Sequence, residues 1–185
     1  MITIKVIIGA SAGGPAALKT LFSFEEKLKY PIILAMHNLD NQTSNFKDYL
    51  ENISKQKVNI VKGFTELKSG IYIPEGGKDI IFSSKRVVSV IKNTGPVSPS
   101  INKLFDSLYP YIDKNTYIFL LGGLGNDGVK GLKKIENSKA KIYIQNDAQF
   151  PYMTERAIQS LTKYFERSIK ELNRILIDLN RGDFI

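Results

Sequence analysis

The chain has 185 residues, 43% of them hydrophobic and 24% charged, with a formal net charge of +8, which fits one globular domain over residues 1–185 and favours an acidic partner or simple solubility. It has no cysteine, so disulfides, thiolate metal sites and thiol nucleophiles are excluded. No apolar run reaches the roughly 20 residues that cross a membrane, no secretory leader opens the chain and no nucleic-acid-binding motif accompanies the charge, so we expect a cytoplasmic protein with no membrane insertion and no nucleic acid partner.

The first element is Ile4-Lys5-Val6-Ile7-Ile8, apolar at nearly every position, as a strand buried on both faces reads. It runs into Gly9-Ala10-Ser11-Ala12-Gly13-Gly14-Pro15, where small residues permit a tight turn and proline suits the first turn of a helix. The helix continues through Leu18, Leu21 and Phe22. Pro31 to Met36 is a second buried strand with His37 at its carboxyl end, and Thr43 to Ile53 is a helix with Phe46, Leu50 and Ile53 on one face. Val58 to Val61 is a short strand. Gly70 to Pro74, Asp79 to Ser83 and Arg86 to Ile91 then read as short strands joined by turn residues, with a hairpin connection at Ser83-Ser84-Lys85. We read these three as a small antiparallel excursion. After a loop rich in glycine and proline from Asn93 to Pro99, Ser100 can cap a helix carrying Ile101, Leu104, Phe105 and Leu108, which Pro110 ends or kinks. Tyr117 to Leu121 is another buried strand. It runs into a second glycine-rich turn, Gly122 to Gly128, and a helix with Val129, Leu132 and Ile135. A strand from Lys141 to Gln145 and helices over Thr154 to Leu161 and Ile169 to Leu179 complete the series. Alternating strands and helices predict an α/β fold: a doubly wound, mainly parallel sheet with a small antiparallel hairpin excursion.

In such sheets, sites gather beyond the carboxyl ends of the strands. Ser11, His37 and Asp127 all fall there. Gly9-Ala10-Ser11-Ala12-Gly13 fits the G-x-S-x-G pattern of a strand-to-helix nucleophile elbow. Each residue also has a plainer reading: serine is a common helix cap, a loop histidine satisfies a carbonyl, and Asn126-Asp127-Gly128 is ordinary turn chemistry. A serine nucleophile needs a base and a group that orients the base. His37 is the only histidine, so any imidazole base is His37. One histidine and no clustered ligands predict no metal site, and no cofactor is expected. The combination favours a Ser-His-Asp triad. A serine esterase of unspecified substrate and a non-catalytic module binding an anion or nucleotide at the two glycine-rich turns are the alternatives.

The elbow at Gly9 to Pro15, His37 after an apolar strand, and Gly123-Leu124-Gly125-Asn126-Asp127-Gly128 resemble, in order and spacing, the chemotaxis protein-glutamate methylesterase (CheB) family. Pro99-Ser100-Ile101 with Leu104-Phe105, Tyr72-Ile73 with Gly76, and Gln145 echo it more weakly. The resemblance implies a hydrolase of signal transduction and chemotaxis. Such an enzyme removes methyl esters from receptor glutamates and deamidates receptor glutamines, and its partner is the cytoplasmic helical region of methyl-accepting chemotaxis receptors. By motif, Ser11 is then the nucleophile, His37 the base and Asp127 its orienter, while Ala12, Gly13 and Leu124 supply the oxyanion and substrate-binding positions. This sequence departs from the family pattern at Ala12, where threonine is usual, at Gly122 and Leu124 in the usual Thr-Gly-Met-Gly, at Ser98 and Asn102 in place of arginine and aspartate, and at Asp79 in place of histidine. Met1 lies close before the first strand, so the resemblance is to the catalytic domain without the family's receiver domain.

Overall fold

A computed structural model describes residues 4–38 and 40–183. Ten strands and six α-helices follow one another along it, with five strands in succession between the second helix and the third. The main sheet contains β1 (Lys5–Ala10), β2 (Pro31–Met36), β3 (Val58–Val61), β5 (Gly70–Pro74), β8 (Thr116–Leu120), β9 (Lys141–Gln145) and β10 (Phe165–Arg167), in the spatial order β10-β9-β8-β1-β2-β5-β3. All six neighbouring pairs are parallel. A separate three-stranded antiparallel sheet joins β4 (Thr65–Glu66), β7 (Val87–Lys92) and β6 (Lys78–Ser84).

Strand periodicity divides the core in two. Val6 and Ile8 of β1 point to one face and join Leu18 and Leu21 of α1 (Gly14–Leu21), Leu50 of α2 (Thr43–Ser54) and Leu172 of α6 (Ile169–Arg181). Ile7 points to the other face. It joins Ile101 and Phe105 of α3 (Ile101–Leu108), Leu132 of α4 (Val129–Ile135) and Ala157 of α5 (Tyr152–Ser160). The apolar face of the β6–β7 hairpin, through Ile80, Phe82 and Val88, packs into this second cluster. The sheet is therefore doubly wound, with helices on both faces and the small sheet set against α3.

Four details differ from the sequence expectation. Gly70–Pro74 is not part of the antiparallel group: it pairs in parallel with both β2 and β3 inside the main sheet. All five of its residues are buried, so burial on both faces decides its place, not its nearness in sequence to the hairpin. The strands β4 and β10 carry no pattern of their own, being two and three residues long and largely exposed. The hairpin turns at Lys85-Arg86, one residue later than read, and α6 runs on to Arg181.

Chain order places the site. From β1 the chain passes to β2 on one side, and it returns only later to lay β8 on the other side. The crevice between β1 and β8 is a topological switch point, where ligands of open α/β sheets bind. The N-terminus of α3 lies directly over β1: a Cβ placed on Gly9 would fall 2.5 Å from Ile101 Cγ2. Ile101 is fully buried and β-branched, so it has no room to yield. Gly9→Ala should therefore lower unfolding stability by about 1–3 kcal/mol, the usual cost of overpacking a core. Urea denaturation measures it, and an unchanged midpoint and slope would contradict this close approach.

Candidate active site

The strand β1 delivers Ser11. Its amide donates to Gly122 O at 3.1 Å, at the end of the neighbouring β8, and its carbonyl accepts from Gly14 N at 2.8 Å. Gly13 sits at φ 79°, in the left-handed region that suits glycine, and begins the turn into α1, with Pro15 in the first helical turn. These features form a sharp strand-to-helix elbow with Ser11 at its apex. The strand β2 delivers His37, whose amide donates to Ala10 O at 3.1 Å. The parallel register continues through Ala10 opposite Met36, so Ser11 and His37 stand side by side at adjacent strand ends. Asp127 comes from the glycine-rich turn after β8.

The three side chains form one hydrogen-bonded line. Ser11 Oγ lies 2.9 Å from His37 Nδ1, and His37 Nε2 lies 2.7 Å from Asp127 Oδ2. An ionised carboxylate only accepts, so Nε2 carries the proton in the neutral imidazole. Nδ1 is then the free acceptor, facing the serine hydroxyl. The His37 side chain is 19% exposed and that of Asp127 10%. The histidine therefore reaches both the cleft and the interior.

Asp127 does more than face the histidine. Its Oδ2 also accepts from Ile101 N at 2.7 Å, and its Oδ1 accepts from Asn102 N at 2.9 Å and Gly128 N at 3.0 Å. Burial works to raise its pKa. The bonds from His37, Ile101 and Asn102 outweigh that effect, so the carboxyl titrates below its ordinary value. The opening of α3 is capped throughout. Ser100 N donates to Asp79 Oδ1 at 2.6 Å, the next two amides go to Asp127, and Lys103 N donates to Ser100 Oγ at 3.2 Å. Ser100 thus caps α3, as its sequence position suggests.

The line opens into a cleft of about 410 Å³ lined by Ser11, His37, Asp127, Leu124, Asn102 and Val97 among others. Leu124 is 53% exposed there. Among the described residues, the backbone amides of Ala12, Gly13 and Leu124 donate to no protein acceptor. Ala12 and Gly13 are not among the residues that line the cleft; a Cβ built on Gly13 would approach the Phe150 ring to 3.1 Å. Among the described residues, no group of three or more His, Asp or Glu side chains is placed to hold a metal ion, and no helix is long and apolar enough to cross a membrane.

Four supporting residues lie outside the sequence-predicted site, three of them (Gln145, Asn102 and Asp79) named there only as positions of the family pattern. Gln145 is buried, and its Oε1 accepts from Gly122 N at 3.0 Å, fixing the turn beside Ser11. Asn102 Oδ1 accepts from Gly131 N at 2.8 Å, tying α3 to the start of α4. Asp79 is fully buried and gathers Ser100 N, Asn93 Nδ2 and Lys103 Nζ. Asn93 reaches both Asp79 and the loop that follows it. All four give a weak signal in the sequence, as polar residues beside apolar strand ends or helix starts.

Comparison with known proteins gives the family and the fold. A family model described as CheB methylesterase matches residues 6–176. The protein-glutamate methylesterase/protein-glutamine glutaminase of Oceanobacillus iheyensis is 29% identical over 183 residues, which cover 93% of this chain and 52% of that protein. The protein of the same name from Bacillus subtilis is 33% identical over 135 residues, 69% of this chain and 38% of that protein. The chain thus spans about half or less of the length of these relatives. A Leptospira interrogans protein, provisionally given the same name, matches at 23% identity over 96% of this chain and 95% of its own length. The crystal structure of the Thermotoga maritima CheB methylesterase catalytic domain shares the fold, with a TM-score of 0.83 at 21% identity, covering 97% of this chain and 100% of that one. The family match runs from β1 into α6 and takes in every strand end on which Ser11, His37 and Asp127 stand: the chain belongs to the CheB methylesterase family.

Proposed function

We propose that this protein hydrolyses methyl esters of glutamate side chains, and deamidates glutamines, on the cytoplasmic helical region of chemotaxis receptors, with Ser11, His37 and Asp127 as its catalytic residues. The observation that carries the reading is the line from Ser11 Oγ to His37 Nδ1 to Asp127 Oδ2, with spacings of 2.9 and 2.7 Å, at the mouth of the cleft. Membership of a family named for methylesterase activity supports the substrate class.

The chemistry follows from the geometry. Ser11 Oγ attacks the ester carbonyl carbon as its proton passes to His37 Nδ1. The Asp127 carboxylate keeps Nε2 protonated and steadies the imidazolium that forms. The carbonyl oxygen gains negative charge and needs donors that are already aimed. The amides of Ala12, Gly13 and Leu124, which have no protein acceptor among the described residues, suit that task. The tetrahedral adduct collapses, His37 Nδ1 returns the proton to the leaving methoxy oxygen, and methanol departs. Water then attacks the glutamyl–serine ester by the same relay, releasing a glutamate carboxylate and restoring Ser11. With glutamine the leaving group is ammonia, and the remaining steps are unchanged.

The direct test is methanol release from methylated receptor membranes. Ser11→Ala should fold as the parent does and lose on the order of a million-fold in kcat, the scale seen when a triad nucleophile is removed. A folded variant with near-parental turnover would exclude Ser11. Asp127→Asn should cost about 10⁴ in kcat by favouring the wrong histidine tautomer, with a folded chain at neutral pH.

The carboxylate also sets an acid dependence of stability. A group whose pKa is depressed in the folded chain adds stability above its unfolded value, 3.8 here, and that contribution disappears as pH falls through the lower folded value. The parent should therefore lose stability between about pH 5 and pH 2 more steeply than Asp127→Asn. Urea midpoints across that range measure it. Parallel curves would show that Asp127 does not titrate below its ordinary value.

A further inference from the structure

The wall of the cleft formed by residues 94–98 has no regular structure, and its shape depends on one side chain. Asn93 Nδ2 donates to Val97 O at 2.8 Å and to Asp79 Oδ1 at 2.7 Å, while Asn93 Oδ1 accepts from Gly95 N at 3.1 Å. Asp79, fully buried on β6, is the anchor beneath it and also holds Ser100 N and Lys103 Nζ, at 2.6 and 2.8 Å. The far end of the segment is tied down by Asn38 N donating to Ser98 O at 3.0 Å, one residue after His37. The result is a closed loop clamped at its base. Its Gly95, Pro96 and Val97 line the cleft with Ser11 and His37.

None of the bonds that hold the reacting groups passes through Asn93. Ser11 and His37 are placed by β1 and β2, and Asp127 by the amides of α3. The loop offers a partner two things. One is backbone that is already ordered. The other is the apolar side chain of Val97, 37% exposed, which shares the cleft with the exposed Leu124. Lys103 also lines the cleft, but its ammonium is neutralised by Asp79, so the wall is suited to the apolar stretches of a polypeptide and not to an anion. A small ester fills only the space next to Ser11. A polypeptide carrying the ester must lie against something beyond it.

We propose that Asn93 is a positioning residue for the protein substrate: it holds residues 94–98, with Val97 foremost, as the surface on which the helix flanking the reacting glutamate rests. The proposal rests on the esterase reading above. Losing the clamp releases the loop to many conformations, and substrate binding must then order it again.

The experiment compares methylated receptor membranes with p-nitrophenyl acetate as a small ester, using the parent, Asn93→Ala and Val97→Asp. For Asn93→Ala the KM for receptor should rise about tenfold, which is about 1.4 kcal/mol, while the receptor kcat stays within twofold. The ratio of receptor to small-ester efficiency should fall about tenfold as well. Val97→Asp, which alters the surface and leaves the clamp intact, should also raise the receptor KM. A receptor KM that does not move in either folded variant would overturn the proposal, as would an equal loss of efficiency on both substrates. A parent that cleaves the small ester yet releases no methanol from receptors would overturn the proposed function, and this proposal with it.

Discussion

The Asp127 carboxylate is the point on which the site turns. Four groups donate to its two oxygens: His37 Nε2, and the amides of Ile101, Asn102 and Gly128, all within 3.0 Å. A charge this deep is costly unless each lone pair is used, and hydrogen bonds to a charged acceptor are worth more than neutral ones. The amides at the start of α3 are the natural partners, because a helix N-terminus leaves them unpaired and carries partial positive charge. The same contact therefore serves two ends. It stabilises the carboxylate as an anion, and it draws α3 down over β1, where Gly9 leaves room for Ile101.

That placement determines the electrostatics of the relay. An anionic Asp127 demands a proton on Nε2, so the nitrogen facing Ser11 is Nδ1 and is free to accept. A neutral carboxyl would remove the reason for either orientation. The depressed pKa of Asp127 is thus a property of the relay as much as of the fold. The second carboxylate at the same helix end, Asp79, works one position earlier, on Ser100 N. It is paired with Lys103 and does not touch the histidine. Two buried carboxylates share one helix terminus, one turned toward the reacting groups and the other toward the wall of the cleft.

Much of this was legible in the chain, for specific reasons. Buried parallel strands are apolar throughout, and such runs end at Ile8, Met36 and Leu121, so the turns beyond them were visible as neighbours in a doubly wound sheet. A single histidine left no choice of base. The elbow is a local pattern of small residues and survives without knowledge of distant contacts. What remained hidden depends on distance along the chain. The tautomer of His37 follows from a bond to a residue ninety positions away. The clamp of Asn93 follows from Asp79, and the caps of α3 from Asp79 on β6 and Asp127 in the turn after β8. Gly70 to Pro74 was assigned to the wrong sheet because its neighbours in sequence form the hairpin, although its five apolar or small residues are those of a strand covered on both faces. The strands β4 and β10 exist by pairing alone, and two or three exposed residues leave no periodicity to read.

The relay stands or falls on the orientation of one imidazole, which is directly measurable because His37 is the only histidine of the chain. Long-range ¹H–¹⁵N correlation spectra of uniformly labelled protein, recorded at a pH where the imidazole is neutral, contain a single ring. The expected ring is the Nε2–H tautomer, with Nδ1 unprotonated toward Ser11 and an Nε2–H resonance shifted downfield by the bond to Asp127. A ring in the Nδ1–H form, or one averaging freely between the two tautomers, would contradict it.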